Sequence, residues 1–73
     1  MKYIEELIED GGEITLGCVD GIDCVATARD GHNALTMLVR RNAETITALL
    51  KRLDKAIARC QASGETTDEI NEP

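Results

Sequence analysis

Few residues in this chain could carry out nucleophilic chemistry, and they lie far apart. There is one histidine, His32, and one serine, Ser63, beside three cysteines. His32 falls in a predicted turn, where side chains are usually solvated, and Ser63 follows the last predicted helix. Nucleophilic catalysis needs a nucleophile, a base and an orienting group held together. The sequence therefore predicts no catalytic residue and no enzymatic activity.

The cysteines also lack the spacing of a metal site. Five residues separate Cys18 from Cys24, whereas common zinc sites place about two to four residues between paired ligands. The acidic residues near the C-terminus lack the spacing and the turn glycine of a calcium loop. We expect no metal and no cofactor, and we expect reduced thiols, as is typical of a cytoplasmic protein.

Basic side chains are the best candidates for binding chemistry. Lys51, Lys55 and Arg59 recur every fourth residue, a spacing that aligns side chains along one side of a helix. Such cations can contact phosphate groups. The candidate phosphate or partner contacts are Arg40, Arg41, Lys51, Lys55 and Arg59. A solvated helix face is the alternative, and we favour it because charged positions on amphipathic helices usually face water.

The distribution of charge weighs against nucleic acid as the partner. The formal net charge is −6 and Tyr3 is the only aromatic residue, so base stacking has almost no support. Residues 1–33 and 63–73 are acidic, whereas residues 34–62 are basic. This pattern indicates charge pairing within or between chains, and the acidic front half could also contact a basic site on a partner.

A long amphipathic helix, predicted from Asn42 to Ala62, must position these bases. Asn42 is the expected N-cap, Glu44 and Arg59 suit the helix dipole in the first and last turns, and Gly64 is the stop signal. Apolar residues recur at steps of three and four, which places them on one side of the helix. The predicted core or oligomer interface consists of Ile46, Leu49, Leu50, Leu53, Ile57 and Cys60, with Ala56 beside them.

The upstream segments predict a short helix and three strands. Met1 to Asp10 has helical spacing and ends at two glycines. Glu13 to Arg29 is a predicted hairpin, since Asp20-Gly21 favours a type I′ turn that pairs Val19 with Ile22. A four-residue turn at 30–33 leads to a third strand at 34–40. The alternative for that segment is an earlier start of the long helix, near Asn33.

The predicted fold class is therefore α+β, with a short N-terminal helix, a three-stranded antiparallel β-meander and a long C-terminal amphipathic helix. Counting outward from the turn places Ile14, Leu16 and Cys18 on one face with Asp23, Val25 and Thr27. Neither face is then clearly polar, although a sheet with one solvated face should alternate. The long helix can cover one face, and the other needs the first helix or a second chain. We expect a homodimer or a dimer of dimers, because small, aromatic-poor cores usually need such support.

Residues 1–62 are predicted to form one small α+β domain. Residues 63–73 are predicted to be an acidic, disordered tail, in which only Ile70 could anchor a docking contact. Acidic residues interrupt the first apolar positions, so no signal segment is expected, and the apolar runs are too short to cross a membrane. The expected location is the cytoplasm.

The run LVRRNAETITALLKRLDKAIARC, from Leu38 to Cys60, and the tail TTDEINEP resemble short, uncharacterised proteins carried by phages and prophages. The resemblance covers the C-terminal half and assigns no site residue. It implies an accessory protein that acts stoichiometrically on a host protein or a host-defence system.

Three functions follow as expectations. The leading one is a non-catalytic homo-oligomeric binding protein, with the chain itself and a host protein as partners. The alternative is a small-molecule or nucleotide binder with pockets at subunit interfaces. The third is a nucleic-acid-binding regulator that uses the basic side of the helix.

Overall fold

The computed structural model describes residues 1–71, which form two α-helices and one four-stranded sheet. Their bounds are α1 Lys2–Glu9, β1 Glu13–Val19, β2 Ile22–Asp30, β3 Asn33–Val39, α2 Ile46–Ser63 and β4 Thr67–Asp68. The strand order is β1-β2-β3-β4, in which β1, β2 and β3 are antiparallel and β4 joins β3 in parallel. The predicted α+β arrangement is confirmed, and the third strand forms in place of an early start of the long helix.

The hairpin turn between β1 and β2 forms at the predicted residues. Val19 pairs with Ile22, and the two residues between them both have positive φ, 48° at Asp20 and 82° at Gly21. A type I′ turn requires this sign at both central positions. The turn between β2 and β3 is tighter than predicted, because Asp30 pairs with Asn33 and only Gly31 and His32 lie between the strands.

The predicted register of the hairpin is wrong beyond this turn because β2 contains a bulge. One β1 residue lies between the pairs Val19–Ile22 and Gly17–Val25, but two β2 residues do. An extra residue in one strand changes the partner of every later residue by one position, and so exchanges the residues of that strand that share a face with a given side chain. Leu16 therefore lies opposite Ala26, and Ile14 opposite Ala28, whereas the prediction placed both with Val25 and Thr27.

Both helices pack on the same face of the sheet. The buried cluster on this face consists of Leu7, Ala26, Ala28, Leu38, Leu49, Leu53, Ala56 and Ile57. Three residues of this cluster, Ala26, Ala28 and Ala56, are alanines, and each is at most 1% exposed. The other face was predicted to be covered by the first helix or by a second chain. The helix α1 does not cover it, and coverage by a second chain stays a prediction.

The helix α2 begins four residues after the predicted N-cap. Thr45 is the N-cap, and its hydroxyl accepts a hydrogen bond from the Ala48 backbone N–H at 3.1 Å. Asn42 instead lies in a turn in which Ala43 has a φ of 64° and the Glu44 N–H donates to the Arg41 carbonyl. The predicted stop is confirmed, because Gly64 adopts the left-handed conformation and its N–H donates to the Cys60 carbonyl.

The start of α1 depends on a side chain from α2. Met1, at the N-cap, provides no side-chain hydrogen bond. The Asp54 carboxylate takes this role, because its Oδ1 accepts hydrogen bonds from the backbone N–H groups of Tyr3 and Ile4, both at 2.9 Å. A carboxylate at a helix N-terminus satisfies orphan donors and interacts favourably with the helix dipole. Asp54 therefore holds the two helices together.

Residues 67–69, within the segment predicted as a disordered tail, contact β3. Thr67 and Asp68 pair with Thr36 and Met37 as β4, and the Glu69 N–H donates to the Met37 carbonyl at 2.9 Å. The division into a 1–62 domain and a disordered tail stays a prediction. Glu72 and Pro73, at the end of the predicted tail, lie outside the described residues.

Within residues 1–71, neither helix has the length and apolar character required to cross a membrane.

The hydroxyl of Thr36 generates a stability prediction. Thr36 is 1% exposed on the helix-covered face, and its Oγ1 has no hydrogen-bond partner among the described residues. A buried, unsatisfied polar group costs about 1–3 kcal/mol. We expect Thr36→Val, which keeps the branched shape, to raise the free energy of unfolding by about 1 kcal/mol in urea titrations.

Thr27→Val is the matched control. Thr27 is half-buried on the face without helices, where water can reach its hydroxyl, and we expect almost no change. A Thr36→Val protein that is less stable than the wild type would show that the Thr36 hydroxyl is hydrogen-bonded in solution.

Candidate functional site

A groove lies between the end of α2 and residues 65–69, which follow the helix. Its volume is about 750 Å³, and it is open to solvent on one side. We call it the α2–β4 groove, and its lining consists of Leu38, Arg41, Arg52, Lys55, Arg59, Glu65, Thr66, Thr67 and Glu69. Leu38 is a buried core residue, whereas the rest of the lining is polar. Four cations and two carboxylates therefore surround one concave surface.

Arg52 lines this groove and forms hydrogen bonds with three other segments of the chain. Its Nε donates to Glu44 Oε2 at 2.8 Å, and its Nη1 donates to Glu69 Oε2 at 3.0 Å. Its Nη2 donates to the Val39 carbonyl at 2.9 Å and to Glu44 Oε1 at 3.0 Å. The pairing with Glu44 is bidentate, a geometry that the planar guanidinium favours. Arg52 therefore joins α2 to the turn before it, to the end of β3 and to the tail.

These contacts shift the pKa values of both partners towards their charged forms. Hydrogen bonds from the Arg52 side chain, and then from the Arg41 backbone N–H, lower the pKa of Glu44 from 4.5 to about 2. The hydrogen bond to Glu44 raises the pKa of Arg52 above its usual value. Glu44 and Arg52 are thus both charged at neutral pH, and two carboxylates compensate the charge of Arg52.

The other cations of the groove are not paired with a carboxylate of the described residues. Arg41, Lys55 and Arg59 are exposed, and none forms a salt bridge with another described residue. Lys55 and Arg59 are one turn apart on α2, which places both side chains along the same wall. The lining contains two carboxylates, and Glu65 is the one that Arg52 does not bind. The groove therefore offers three cations to an anion.

The tail forms the opposite wall through Thr66, Thr67 and Glu69. The Glu69 carboxylate is fixed at both oxygens, since Oε1 accepts from the Val39 N–H at 2.9 Å and Oε2 from Arg52. The Asp68 carboxylate accepts from the Asn71 side chain and from the Asn71 and Ile70 backbone N–H groups. These bonds, with the Asn71 side chain first, lower the pKa of Asp68. These bonds hold the Asp68 and Glu69 side chains, which follow Thr67 in this wall.

The structure brings together three of the five predicted contact residues. Arg41, Lys55 and Arg59 line the groove. Lys51 is exposed on α2 but is not part of the lining, and Arg40 donates from Nε to the Glu44 carbonyl at 2.7 Å. Arg40 also borders a second, smaller depression of about 500 Å³ near the hairpin end of the sheet. The predicted basic row on α2 is therefore divided.

The predicted apolar side of α2 lies mostly inside the chain. Leu49, Leu53 and Ile57 are fully buried, and Leu50 packs against them. Cys60 is half-buried and Ile46 is 38% exposed. These positions place the buried residues in the core of a single chain. The role of the set in packing between subunits stays a prediction.

The sequence reasoning missed the contributions of Arg52, Thr66, Thr67 and Glu69. Arg52 carries no special signal, because its partners come from segments that meet only in the folded chain. The tail offered two signals, the β-branched pair Thr66-Thr67 two residues after the Gly64 stop and an isolated Ile70. His32 and Cys18 are exposed and lie outside the groove lining.

Comparison of the chain with models of protein families, with curated proteins and with solved structures finds no match.

The lowered pKa of Glu44 predicts an acid dependence of stability. A carboxyl group whose pKa is lower in the folded state stabilises the fold above its unfolded pKa, and this contribution disappears as the pH falls through the folded value. For Glu44 the interval runs from pH 4.5 down to about 2. We expect Glu44→Gln to be less stable than the wild type at pH 7, and the difference to shrink across this interval in urea titrations.

Glu65→Gln provides the control, since Glu65 is exposed and forms no salt bridge with a described residue. We expect its stability to follow the wild-type dependence on pH. A constant difference between Glu44→Gln and the wild type from pH 7 to pH 2 would contradict the assigned role of Glu44.

Proposed function

We propose that the chain is a non-catalytic binding protein whose α2–β4 groove holds a small anionic molecule. The observation that carries this proposal is the convergence of Arg41, Lys55 and Arg59 on one concave surface, without salt bridges to described residues. Cations that converge on a groove attract a compact, multiply charged anion more strongly than the same cations spread over a convex surface. A phosphate or pyrophosphate group has the matching charge.

The size and lining of the groove support a ligand of nucleotide size. Small-molecule sites usually have volumes of about 300–1,000 Å³, and this groove has about 750 Å³. The hydroxyls of Thr66 and Thr67 can donate to ligand oxygens. These donors provide orientation in addition to charge.

The absence of catalysis remains part of the proposal. The lining includes no histidine, cysteine or serine among the described residues, so a nucleophile with an adjacent base has little support there. A cytoplasmic setting suits this role, because the reduced thiols expected for an odd number of cysteines are typical of that compartment.

The other expected partners stay predictions. A host protein, implied by the phage resemblance, would contact an outer surface and would not require the groove. A nucleic acid would engage a longer basic track, including Lys51, and its affinity would fall steeply with salt. Each of these partners would need contact residues that differ from those that a groove ligand needs.

Titration with inorganic pyrophosphate tests the proposal most simply. We expect backbone amide shifts in ¹⁵N-labelled protein at Thr66, Thr67 and the end of α2, with saturation. Lys55→Glu should weaken binding at least about tenfold, because it replaces a charge-assisted hydrogen bond with a repulsive charge.

Lys51→Glu is the matched control, with the same change of charge one turn earlier on the same exposed helix. We expect it to change the affinity less than about twofold, because Lys51 is not part of the groove lining and an exposed charge without a direct contact contributes little. Equal losses in the two variants would indicate a diffuse attraction to the helix. Shifts located away from the groove, or none at all, would refute the assignment of this ligand class.

A further inference from the structure

A second depression borders the α2–β4 groove and shares a residue with it. We call it the β2–β3 depression, and it is lined by residues 22–24, at the start of β2, and by residues 39–43, which run from the end of β3 into the turn before α2. Its volume is about 500 Å³. Arg41 lines both the depression and the groove, so the two cavities meet at this side chain.

Hydrogen bonds connect the backbone of the β2–β3 depression to the ion-pair network of Arg52. The Arg41 N–H donates to Glu44 Oε1 at 2.9 Å, and the Glu44 N–H donates to the Arg41 carbonyl at 3.1 Å. The Val39 carbonyl accepts from Arg52 Nη2 at 2.9 Å. These bonds tie the backbone that lines the depression to Arg52, which lines the groove, and so they hold the two cavities side by side.

The depression offers contacts for the flat face of a nucleobase. Ile22 and Val39 are half-buried and add apolar surface to its lining. The planar guanidinium group of Arg41 is exposed, and such groups stack on base rings. Arg40 also lines the depression, but its Nε is bound to the Glu44 carbonyl. A base in the depression would lie next to the groove that attracts phosphate, as the two parts of one nucleotide require.

The Asp23 carboxylate provides a contact that distinguishes one base from another. Asp23 lines the depression, is exposed and forms no salt bridge with another described residue. A carboxylate only accepts hydrogen bonds, and its two oxygens can accept two parallel N–H groups. Guanine presents two adjacent N–H donors on its Watson–Crick edge, whereas the other bases present donors beside acceptors. Because the same carboxylate repels phosphate, it also favours the orientation in which the phosphates lie in the groove.

We infer that the α2–β4 groove and the β2–β3 depression form one site for a guanine nucleotide. The phosphates contact Arg41, Lys55 and Arg59, and the edge of the base donates to Asp23. This inference rests on the proposed function and narrows its ligand class, because the base contacts add to an affinity that the phosphate contacts supply.

Isothermal titration calorimetry of the full chain with GDP, ADP and inorganic pyrophosphate tests this inference. We expect all three to bind, with GDP at least about tenfold tighter than ADP, because a bidentate contact to one base edge gives discrimination of this order. Asp23→Asn should reduce the affinity for GDP to that for ADP, since the amide replaces one acceptor with a donor. It should change the affinity for pyrophosphate less than about twofold, and this retained binding shows that the variant folds.

Asp20→Asn is the matched control, with the same change of charge three residues earlier in the chain. Asp20 lies in the hairpin turn, outside the lining of both cavities, and asparagine tolerates its φ of 48°. We expect its affinity for GDP to stay within about twofold of the wild type. In ¹⁵N-labelled wild-type protein, GDP should shift the backbone amides of Cys24 and Ala43, which pyrophosphate should leave in place.

The outcomes separate this inference from the proposed function. Pyrophosphate binding without a preference for GDP over ADP overturns the inference and leaves the proposed function intact. A preference for GDP that survives in Asp23→Asn, or that Asp20→Asn abolishes equally, also overturns the inference, as do GDP shifts confined to the groove. If none of the three ligands binds, the proposed function is refuted together with the inference.

Discussion

The Arg52 guanidinium group links four segments of the chain, namely α2, the turn before it, the end of β3 and the tail. It binds Glu44 before α2, the Val39 carbonyl at the end of β3 and Glu69 in the tail. Its side chain is 21% exposed, so water only partly screens these bonds. The loss of Arg52 would leave two carboxylates and a carbonyl without their donor, and such losses usually exceed the net contribution of the intact contact.

The same interaction determines where positive charge remains available. Glu44 and Glu69 compensate Arg52, whereas Arg41, Lys55 and Arg59 have no comparable partner among the described residues. The tail that Glu69 anchors then becomes one wall of the groove, opposite the cations of α2. The position of Glu69 and the positive charge that remains available in the groove therefore depend on the same ion-pair network.

The sequence predicts the elements of this fold better than the relations between them. The α2 stripe, the Asp20-Gly21 turn and the Gly64 stop are local patterns, and each appears in the structure. The predicted register of the hairpin is wrong because a single extra residue in β2 exchanges the residues on its two faces. No residue type in the sequence indicates this bulge. Thr45, and not Asn42, is the N-cap of α2. Glu44 binds Arg52, eight residues later in the chain, and a local preference for cap residues does not predict this contact.

The candidate site shows the same division. Helical spacing alone aligned Lys55 with Arg59, but it also included Lys51, because the position of the groove along α2 depends on the tail. The polar composition of residues 63–73 predicts a disordered tail, and composition does not indicate the hydrogen bonds that residues 67–69 form with β3. Thr67 lies at the groove because β4 pairs with β3.

The most direct test of this account is amide hydrogen exchange at Glu69 in the wild-type protein. Its N–H donates to the Met37 carbonyl in the structure, and its carboxylate is held by Arg52. We expect protection at Glu69 comparable to that of the Val39 amide, which Glu69 accepts, and loss of protection at both in Arg52→Gln. Exchange of the Glu69 amide at the rate of an unstructured peptide would mean that the tail is not anchored, and it would contradict the central role of Arg52 and the existence of the α2–β4 groove.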